Sequence, residues 1–216
     1  MNNEQNSSLF QLGIRNQLER IKKEGKKKAE EYIFSLEHLK TYAIDDETTI
    51  EVDDLISVEY TDTGPKLWIH ISSPSEYIKV NTPLDLYARN RALTIYSPNY
   101  IEYMYPKELV TEVLSLDSNT NNIALSFGII LNNDGSIKSY DIVRTKVTCT
   151  YRLTYEDVDE ILDLQPIEEK ELLTIQELLL LRRDYRFKKG ALFIEEPTTK
   201  FSIINNQIVL NVINHS

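Results

Sequence analysis

Residues 44–60 have the composition most suggestive of chemistry in this sequence, because they hold seven acids and no base. Like charges a few ångströms apart repel by about 1 kcal/mol in water, and by more where they are partly desolvated. A divalent cation removes that repulsion. Carboxylate oxygens suit Mg²⁺ or Mn²⁺, and a phosphodiester is the substrate whose charge such ions neutralise during attack by water. Six of these acids lie within residues 45–54, namely Asp45, Asp46, Glu47, Glu51, Asp53 and Asp54.

The same acids have a second interpretation, which composition alone favours: a solvated loop between a helix and a hairpin. Their spacing does not match a calcium-binding loop with alternating acids around a central Gly. Other site classes find no support, since the six glycines form no phosphate-binding cluster. The histidines are isolated from one another and from Cys149, so neither a zinc site nor a Cys-His nucleophile is predicted, and His70 is interpreted as a core residue.

Overall charge limits the possible partners. The 216 residues carry 24 bases and 34 acids, a net charge of −10, which argues against coating nucleic acid with the whole surface. Residues 15–28 are an exception, with seven bases against two acids. A single cysteine excludes an internal disulfide and favours a reducing compartment. No apolar run approaches the ~20 residues of a membrane span, and no secretory signal is recognisable, so we expect a soluble chain.

Periodicity and turn residues predict the elements around the acids. We expect helices over residues 12–42, 83–91, 106–116, 154–162 and 168–189, with Thr82 as a cap and Thr154 and Asp157 forming a capping box. Hairpins are expected over residues 55–71, 123–150 and 201–210. This order indicates an α+β fold with a mixed, mainly antiparallel sheet packed with helices, preceded by an N-terminal helix.

Several of these segments together resemble the catalytic domain of the ribonuclease II family, the RNB domain. Residues 42–59 resemble the family's acidic signature, and residues 67–71, Leu-Trp-Ile-His-Ile, resemble the strand that follows it. Leu84, Asp85, Ala88 and Arg91 match its Leu-Asp-x-x-Ala-x-x-Arg helix, and residues 94–98, Thr-Ile-Tyr-Ser-Pro, match its next strand. Residues 115–116, 124–126 and 153–158 follow in order, so that the resemblance covers residues 39–192. Residues 72–74, Ser-Ser-Pro, are similar to the branch found in cyanobacteria and plastids.

The resemblance implies roles for particular residues. Asp45, Glu51, Asp53 and Asp54 would bind Mg²⁺ or Mn²⁺, with Asp45, Asp53 and Asp54 catalytic, Asp54 the most critical, and Glu51 standing where the best-known members have Asp. Tyr96 would stack on the terminal base, a contact typically worth ~1–3 kcal/mol. Tyr100, Tyr103 and Tyr105 either line an RNA channel or, in the slightly favoured interpretation, pack in the core. Arg91, Arg182, Arg183 and Arg186 are the remaining candidate RNA-binding residues. The last three are proposed from their positive charge rather than from the resemblance, and such charges more often mark a solvated helix face.

The expected function is hydrolysis of single-stranded RNA from the 3′ end to nucleoside 5′-monophosphates, in a bacterial cytoplasm or plastid stroma. We divide the chain into a basic helical extension, residues 1–38, and a truncated RNB-type catalytic domain, residues 39–216. Members of the family continue further, with an Arg-rich segment and an RNA-gripping OB-fold. The alternative is therefore a truncated or split, inactive remnant that binds metal, RNA or a second chain supplying the distal half.

Overall fold

The computed structural model describes residues 2–24, 33–97, 100–117, 122–193, 198–204 and 207–213. The strands are β1 Phe34–Ser35, β2 Thr41–Asp45, β3 Asp54–Thr61, β4 Gly64–Ser72, β5 Ile95–Ser97, β6 Tyr100–Glu102, β7 Asn122–Leu131, β8 Ile137–Val147, β9 Tyr151–Thr154, β10 Thr198–Ile204 and β11 Gln207–Ile213. The helices are α1 Asn2–Glu24, α2 Pro83–Arg91, α3 Lys107–Leu109 continued by a π-helical turn over Val110–Leu114, α4 Tyr155–Leu164 and α5 Lys170–Lys188. Short 3₁₀ turns cover Pro74–Glu76 and Ile167–Glu169.

Seven of the described strands form a single sheet in the order β1-β8-β7-β4-β3-β2-β9. Its centre consists of two antiparallel hairpins, β3–β4 and β7–β8, which pair through β4 and β7. The outer pairs β1–β8 and β2–β9 are parallel. The strands β5–β6 and β10–β11 form two separate antiparallel pairs. The predicted α+β class with a mixed, mainly antiparallel sheet is confirmed.

Apolar residues cover both faces of the sheet at β4, whereas most of β8 is exposed. Leu67 and Trp68 are neighbours on β4 whose side chains point to opposite faces, and both are buried. Leu67 belongs to a cluster with Leu172, Ile175 and Leu178 of α5. Trp68 packs on the other face in a cluster that includes Val52, from the loop between β2 and β3. The acidic segment is thus anchored in the core by an apolar residue of its own.

A buried polar network runs through the middle of the sheet. His70 on β4 is fully buried, as expected for a core histidine. One ring nitrogen lies 2.9 Å from Ser57 Oγ on β3, and the other lies 2.7 Å from Ser126 Oγ on β7. Ser126 in turn contacts Thr145 on β8. Burial lowers the pKa of His70 to about 4, so the ring is neutral at pH 7.

The N-terminal helix packs against the rest of the fold. Ile14, Leu18 and Ile21 of α1 form a cluster with Leu84 of α2 and Leu109 of α3. No helix in the described ranges is both long enough and apolar enough to span a bilayer. The division of the chain at residue 38 stays a prediction.

The start of α2 is capped differently from the expectation. Thr82 precedes the helix, but its side chain makes no capping hydrogen bond and donates instead to the Lys79 carbonyl. The Gln17 side chain of α1 supplies the acceptor, 3.1 Å from the Leu84 amide. The capping box of Thr154 and Asp157 at α4 is confirmed.

Two predicted boundaries are wrong. The helix expected over residues 12–42 spans Asn2–Glu24, residues 25–32 lie outside the described ranges, and residues 33–42 contain β1 and the start of β2 instead of helix. Pairing with β8, β3 and β9 overrides the helical spacing there, and it buries Leu36 and Tyr42 completely. The strand expected to run to residue 150 ends at Val147, and β9 begins a separate parallel pairing with β2.

The remaining expected elements are present. The hairpin β3–β4 has its turn at residues 62–63, and β7–β8 turns at residues 132–136. Helices α2, α4 and α5 lie within a few residues of their predicted bounds. The C-terminal hairpin forms as β10–β11, with its turn residues 205–206 outside the described ranges.

Candidate active site

The predicted acids lie on one loop and on the strand ends that flank it. Asp45 ends β2, Asp54 begins β3, and residues 46–53 connect them. Backbone hydrogen bonds hold this loop: the Ser115 hydroxyl accepts from the Val52 amide at 2.9 Å, and the Ser72 amide donates to the Asp53 carbonyl at 2.8 Å. Asp46 turns inward on its own loop, since its carboxylate accepts from the amide and hydroxyl of Thr48. The loop therefore presents its acids from a fixed backbone.

Four acids, those assigned to metal binding from the sequence, surround one open cavity. Its volume is about 280 Å³, and Tyr96 of β5 contributes to its wall. The acids that line it are Asp45, Glu51, Asp53 and Asp54. Asp53 and Asp54 are exposed, Asp45 is half-buried and Glu51 is buried. The structure thus brings these four acids and the predicted stacking residue together.

The negative charges of the cavity raise the pKa values of two of its carboxyl groups. Although Asp53 is exposed to solvent, the protein around its carboxyl group partly desolvates it and raises its pKa, and the nearby charges of Glu51, Asp54 and Asp45 raise this pKa further. Burial also raises the pKa of Asp45, an effect that Asp54 and Glu51 reinforce and that the Arg152 guanidinium opposes. Both directions arise from crowding negative charge in a partly desolvated space. A cation in the cavity would relieve this repulsion.

Glu51 differs from the other three acids in its contacts. One carboxylate oxygen, Oε1, accepts a 2.9 Å hydrogen bond from the Tyr96 hydroxyl, while Oε2 is buried and makes no hydrogen bond. The buried hydroxyl of Tyr103 lies beside this carboxylate, also without a hydrogen bond. Burial and the Glu51 contact raise the pKa of Tyr96 to about 12, so its phenol remains a donor.

A second cavity of about 200 Å³ adjoins the first and shares Glu51, Asp53 and Tyr96 with it. Tyr103, Met104 and Tyr105 line its other side. For the tyrosine strip, core packing was the favoured interpretation. Tyr103 is buried, and Tyr105 packs on the cluster that α1 forms with α2. Tyr100 is 61% exposed.

The donor set of the first cavity fits a hard divalent cation in chemistry. All four side chains offer carboxylate oxygens, and Glu51 Oε2 is buried without a hydrogen bond. In the described part of the chain, no group of three or more His, Cys, Asp or Glu side chains is arranged to hold a metal ion. The four carboxylates therefore line the cavity without converging on a single point. Ligation would require rotation of side chains such as the exposed Asp53 and Asp54.

The predicted RNA-binding arginines are not among the residues that line this cavity. Arg91 is paired with Glu102 at 2.7 Å and lies over the Tyr87 ring. Arg182 donates to the Gly135 carbonyl at the β7–β8 turn. Asp54 lies level with Leu125 of β7, because both pair with Ile71 of β4. Six further residues of β7 follow Leu125 before the turn. At about 3.4 Å per residue, Arg182 is therefore roughly 20 Å along the sheet from the acids.

Arg183 and Arg186 are exposed on α5, and Arg183 borders an apolar cavity of about 270 Å³ between α4 and α5. In the basic N-terminal segment, Lys22 pairs with Glu112 at 2.8 Å, while residues 26–28 lie outside the described ranges. The RNA-binding role of these residues stays a prediction.

Two residues beside the acids were not identified as site residues from the sequence. Arg152 of β9 donates to the Thr49 carbonyl on the acidic loop, and its positive charge opposes the rise in the pKa of Asp45. Its position follows from the parallel pairing of β9 with β2, which no local sequence pattern predicts. Tyr103 was noted only as a member of the tyrosine strip, because Glu51, beside whose carboxylate it lies, is far from it in sequence.

The chain matches the RNB domain family over residues 34–216. An uncharacterized ribonuclease of Synechocystis sp. is 44% identical over 76% of this chain and 25% of its own length. The ribonuclease II of Arabidopsis thaliana chloroplasts and mitochondria is 33% identical over 79% of this chain and 21% of its own length. The chain thus spans about a quarter or less of the length of these relatives.

A solved structure, Mycoplasma genitalium RNase R in complex with ribose-methylated single-stranded RNA, superposes with a TM-score of 0.80. The two proteins are 23% identical, and the match covers 89% of this chain and 31% of the other. At this identity the likeness establishes the fold.

Proposed function

The chain belongs to the RNB domain family, and from this we propose that it carries the metal-binding part of a 3′→5′ exoribonuclease site. The substrate is single-stranded RNA, and the products are nucleoside 5′-monophosphates. RNA is the natural choice because the relatives are named ribonucleases, and the solved relative is described in complex with single-stranded RNA. Because the chain covers only about a quarter or less of these relatives, we propose its activity separately from theirs.

The observation that carries this proposal is the joint placement of acids and an exposed aromatic ring. Asp45, Asp53 and Asp54 line the cavity, and the Tyr96 ring at its wall is 66% exposed. An exposed ring beside a cation site matches a terminal nucleotide, whose base stacks while its phosphate approaches the metal. This arrangement supports chemistry at the end of a single strand.

The acids would act as ligands for Mg²⁺ or Mn²⁺. When bound, the metal supplies charge neutralisation at the phosphodiester and lowers the pKa of a coordinated water. Asp54, at the first position of β3 and exposed to the cavity, is the residue we assign the most critical role. Asp45 and Asp53 complete the negative surface, with Glu51 as the fourth candidate.

The test uses the 216-residue chain, a 5′-labelled single-stranded RNA and Mg²⁺. We expect a ladder that shortens from the 3′ end, with 5′-monophosphates identified by mass spectrometry. Asp54→Asn should abolish shortening, because it removes one negative oxygen and leaves the side-chain shape unchanged. Asp62→Asn is the matched control, since Asp62 is exposed in the β3–β4 turn at the opposite end of β3.

Metal binding is measured separately by titrating Mn²⁺ into the protein and following the free ion by electron paramagnetic resonance. We expect Asp54→Asn to weaken binding at least tenfold and Asp62→Asn to have no effect. Absence of shortening, together with equal Mn²⁺ binding by both variants and the wild type, would reject the proposal.

The compartment we propose is a bacterial cytoplasm or plastid stroma. The relatives named above support this choice, as one is cyanobacterial and the other is named for chloroplasts and mitochondria.

A further inference from the structure

Glu51 is directed toward tyrosines as well as toward the acids. Its side chain is 94% buried, whereas Asp53 and Asp54 are exposed. Burying a carboxylate is costly unless donors compensate it. The Tyr96 hydroxyl supplies one donor at 2.9 Å, and the Tyr103 hydroxyl lies beside the same carboxylate. Tyr96 thus compensates Oε1 of Glu51, whereas Oε2 and the Tyr103 hydroxyl make no hydrogen bond.

The bond from Glu51 to Tyr96 joins two separate parts of the fold. Tyr96 lies in the small β5–β6 hairpin, which is not part of the main sheet in the described ranges. Glu51 lies on the acidic loop, next to Val52, whose amide and carbonyl are both hydrogen-bonded to residues 115–116. The fixed backbone at Val52 makes Glu51 a stable anchor for the hairpin.

Side-chain length matters at this position. With the backbone held, an Asp would place its oxygens about 1.5 Å further from the Tyr96 hydroxyl, the length of one carbon–carbon bond. A 2.9 Å hydrogen bond cannot survive that change without movement of the loop. The methylene that distinguishes Glu from Asp is therefore what allows this contact.

The contact has a consequence for the exposed ring. Two thirds of the Tyr96 surface is open to solvent, so the ring depends on its hydroxyl for a fixed orientation. We propose that Glu51 is a positioning residue, which fixes the Tyr96 ring through its hydroxyl so that the ring is pre-oriented to stack on an RNA base. This inference rests on the proposed function, since it concerns how the same site receives its substrate.

The experiment measures RNA binding in EDTA, where neither metal ligation nor hydrolysis contributes. The probe is a single-stranded RNA with 2-aminopurine as its 3′-terminal base, whose fluorescence falls on stacking. Tyr96→Phe keeps the ring and removes the hydroxyl, and we expect about fivefold weaker binding with less quenching, in line with the net contribution of a typical hydrogen bond. Tyr140→Phe is the matched control, because Tyr140 of β8 is 67% exposed against 66% for Tyr96.

Two variants of Glu51 separate positioning from metal ligation. Glu51→Gln keeps the length and an acceptor oxygen, and should bind within about twofold of the wild type. Glu51→Asp keeps the charge but is too short, and should lose about fivefold, as Tyr96→Phe does. A metal ligand would show the reverse order in Mn²⁺ affinity. The double variant Glu51→Asp/Tyr96→Phe should lose no more than either single variant, because both remove the same contact.

The outcomes are distinguishable. Binding by the wild type with Tyr96→Phe unchanged, or multiplied losses in the double variant, would refute the positioning role and leave the proposed function intact. Absence of RNA binding by the wild type would refute both. Near-ultraviolet circular dichroism of the Trp68 region and the thermal midpoint identify any variant that fails to fold, and the exposed Tyr96→Phe change then decides the question alone.

Discussion

The buried His70 makes the stability of the protein depend on pH in a way that can be calculated. Its ring lies between Ser57 and Ser126 in the middle of the sheet, and burial lowers its pKa from 6.5 to about 4. The unfolded chain takes up a proton near pH 6.5, whereas the folded protein resists it down to about pH 4. Over that interval the unfolded state binds more protons, so stability falls as the pH falls.

The magnitude follows from the difference between the two pKa values. A shift of about 2.5 units at about 1.4 kcal/mol per unit corresponds to about 3 kcal/mol. This stability is fully present above pH 6.5 and is lost by about pH 4. Asp45 and Asp53 have raised pKa values and act in the opposite direction, stabilising the fold as they take up protons.

The assay compares the wild type with His70→Gln by urea denaturation at pH 7, 5.5 and 4. Gln retains a donor and an acceptor but does not titrate, and the contributions of Asp45 and Asp53 cancel between the two proteins. We expect the difference in unfolding free energy to shift by about 3 kcal/mol in favour of the variant between pH 7 and pH 4. A difference that stays constant over this range would show that His70 is not buried in its neutral form.

Two other positions offer direct tests. Gly135 has a φ of +82°, and a Cβ there would collide with the Leu181 backbone of α5, so Gly135→Ala should lower the unfolding free energy by more than about 2 kcal/mol in urea titrations; an effect under 0.5 kcal/mol would contradict this packing. Arg152→Met should free the Thr49 carbonyl and speed amide exchange in residues 46–50, as measured by mass spectrometry, and unchanged exchange would show that Arg152 does not hold the loop.

The features that could be predicted from the sequence are those that depend on residues close together in the chain. The capping box of Thr154 and Asp157 needs only two residues three apart, and it forms as expected. The four acids could be assigned to one site because only eight residues lie between the first and the last, so that a single loop can bring them together. The turn of β3–β4 is equally local.

Features that depend on distant pairing could not be predicted. The helix expected up to residue 42 is replaced by strands because their partners lie about a hundred residues away in β8 and β9. The cap of α2 comes from Gln17 rather than from Thr82, for the same reason. Arg152 and Tyr103 join the site through tertiary contacts, and a basic composition did not reveal that Arg182 lies far from the acids.

The topology of the sheet also implies an order of folding. Ser57 and His70 meet across a separation of 13 residues, whereas Thr41 and Thr150, which join β2 to the segment before β9, are 109 residues apart. Closing the longer loop costs about 2 kcal/mol more in chain entropy. The pairing of β2 with β9 is therefore expected to form after the central hairpins and after the more local pairing of β2 with β3. Because β9 carries Arg152, its contact with the Thr49 carbonyl on the acidic loop is expected to be among the last to form.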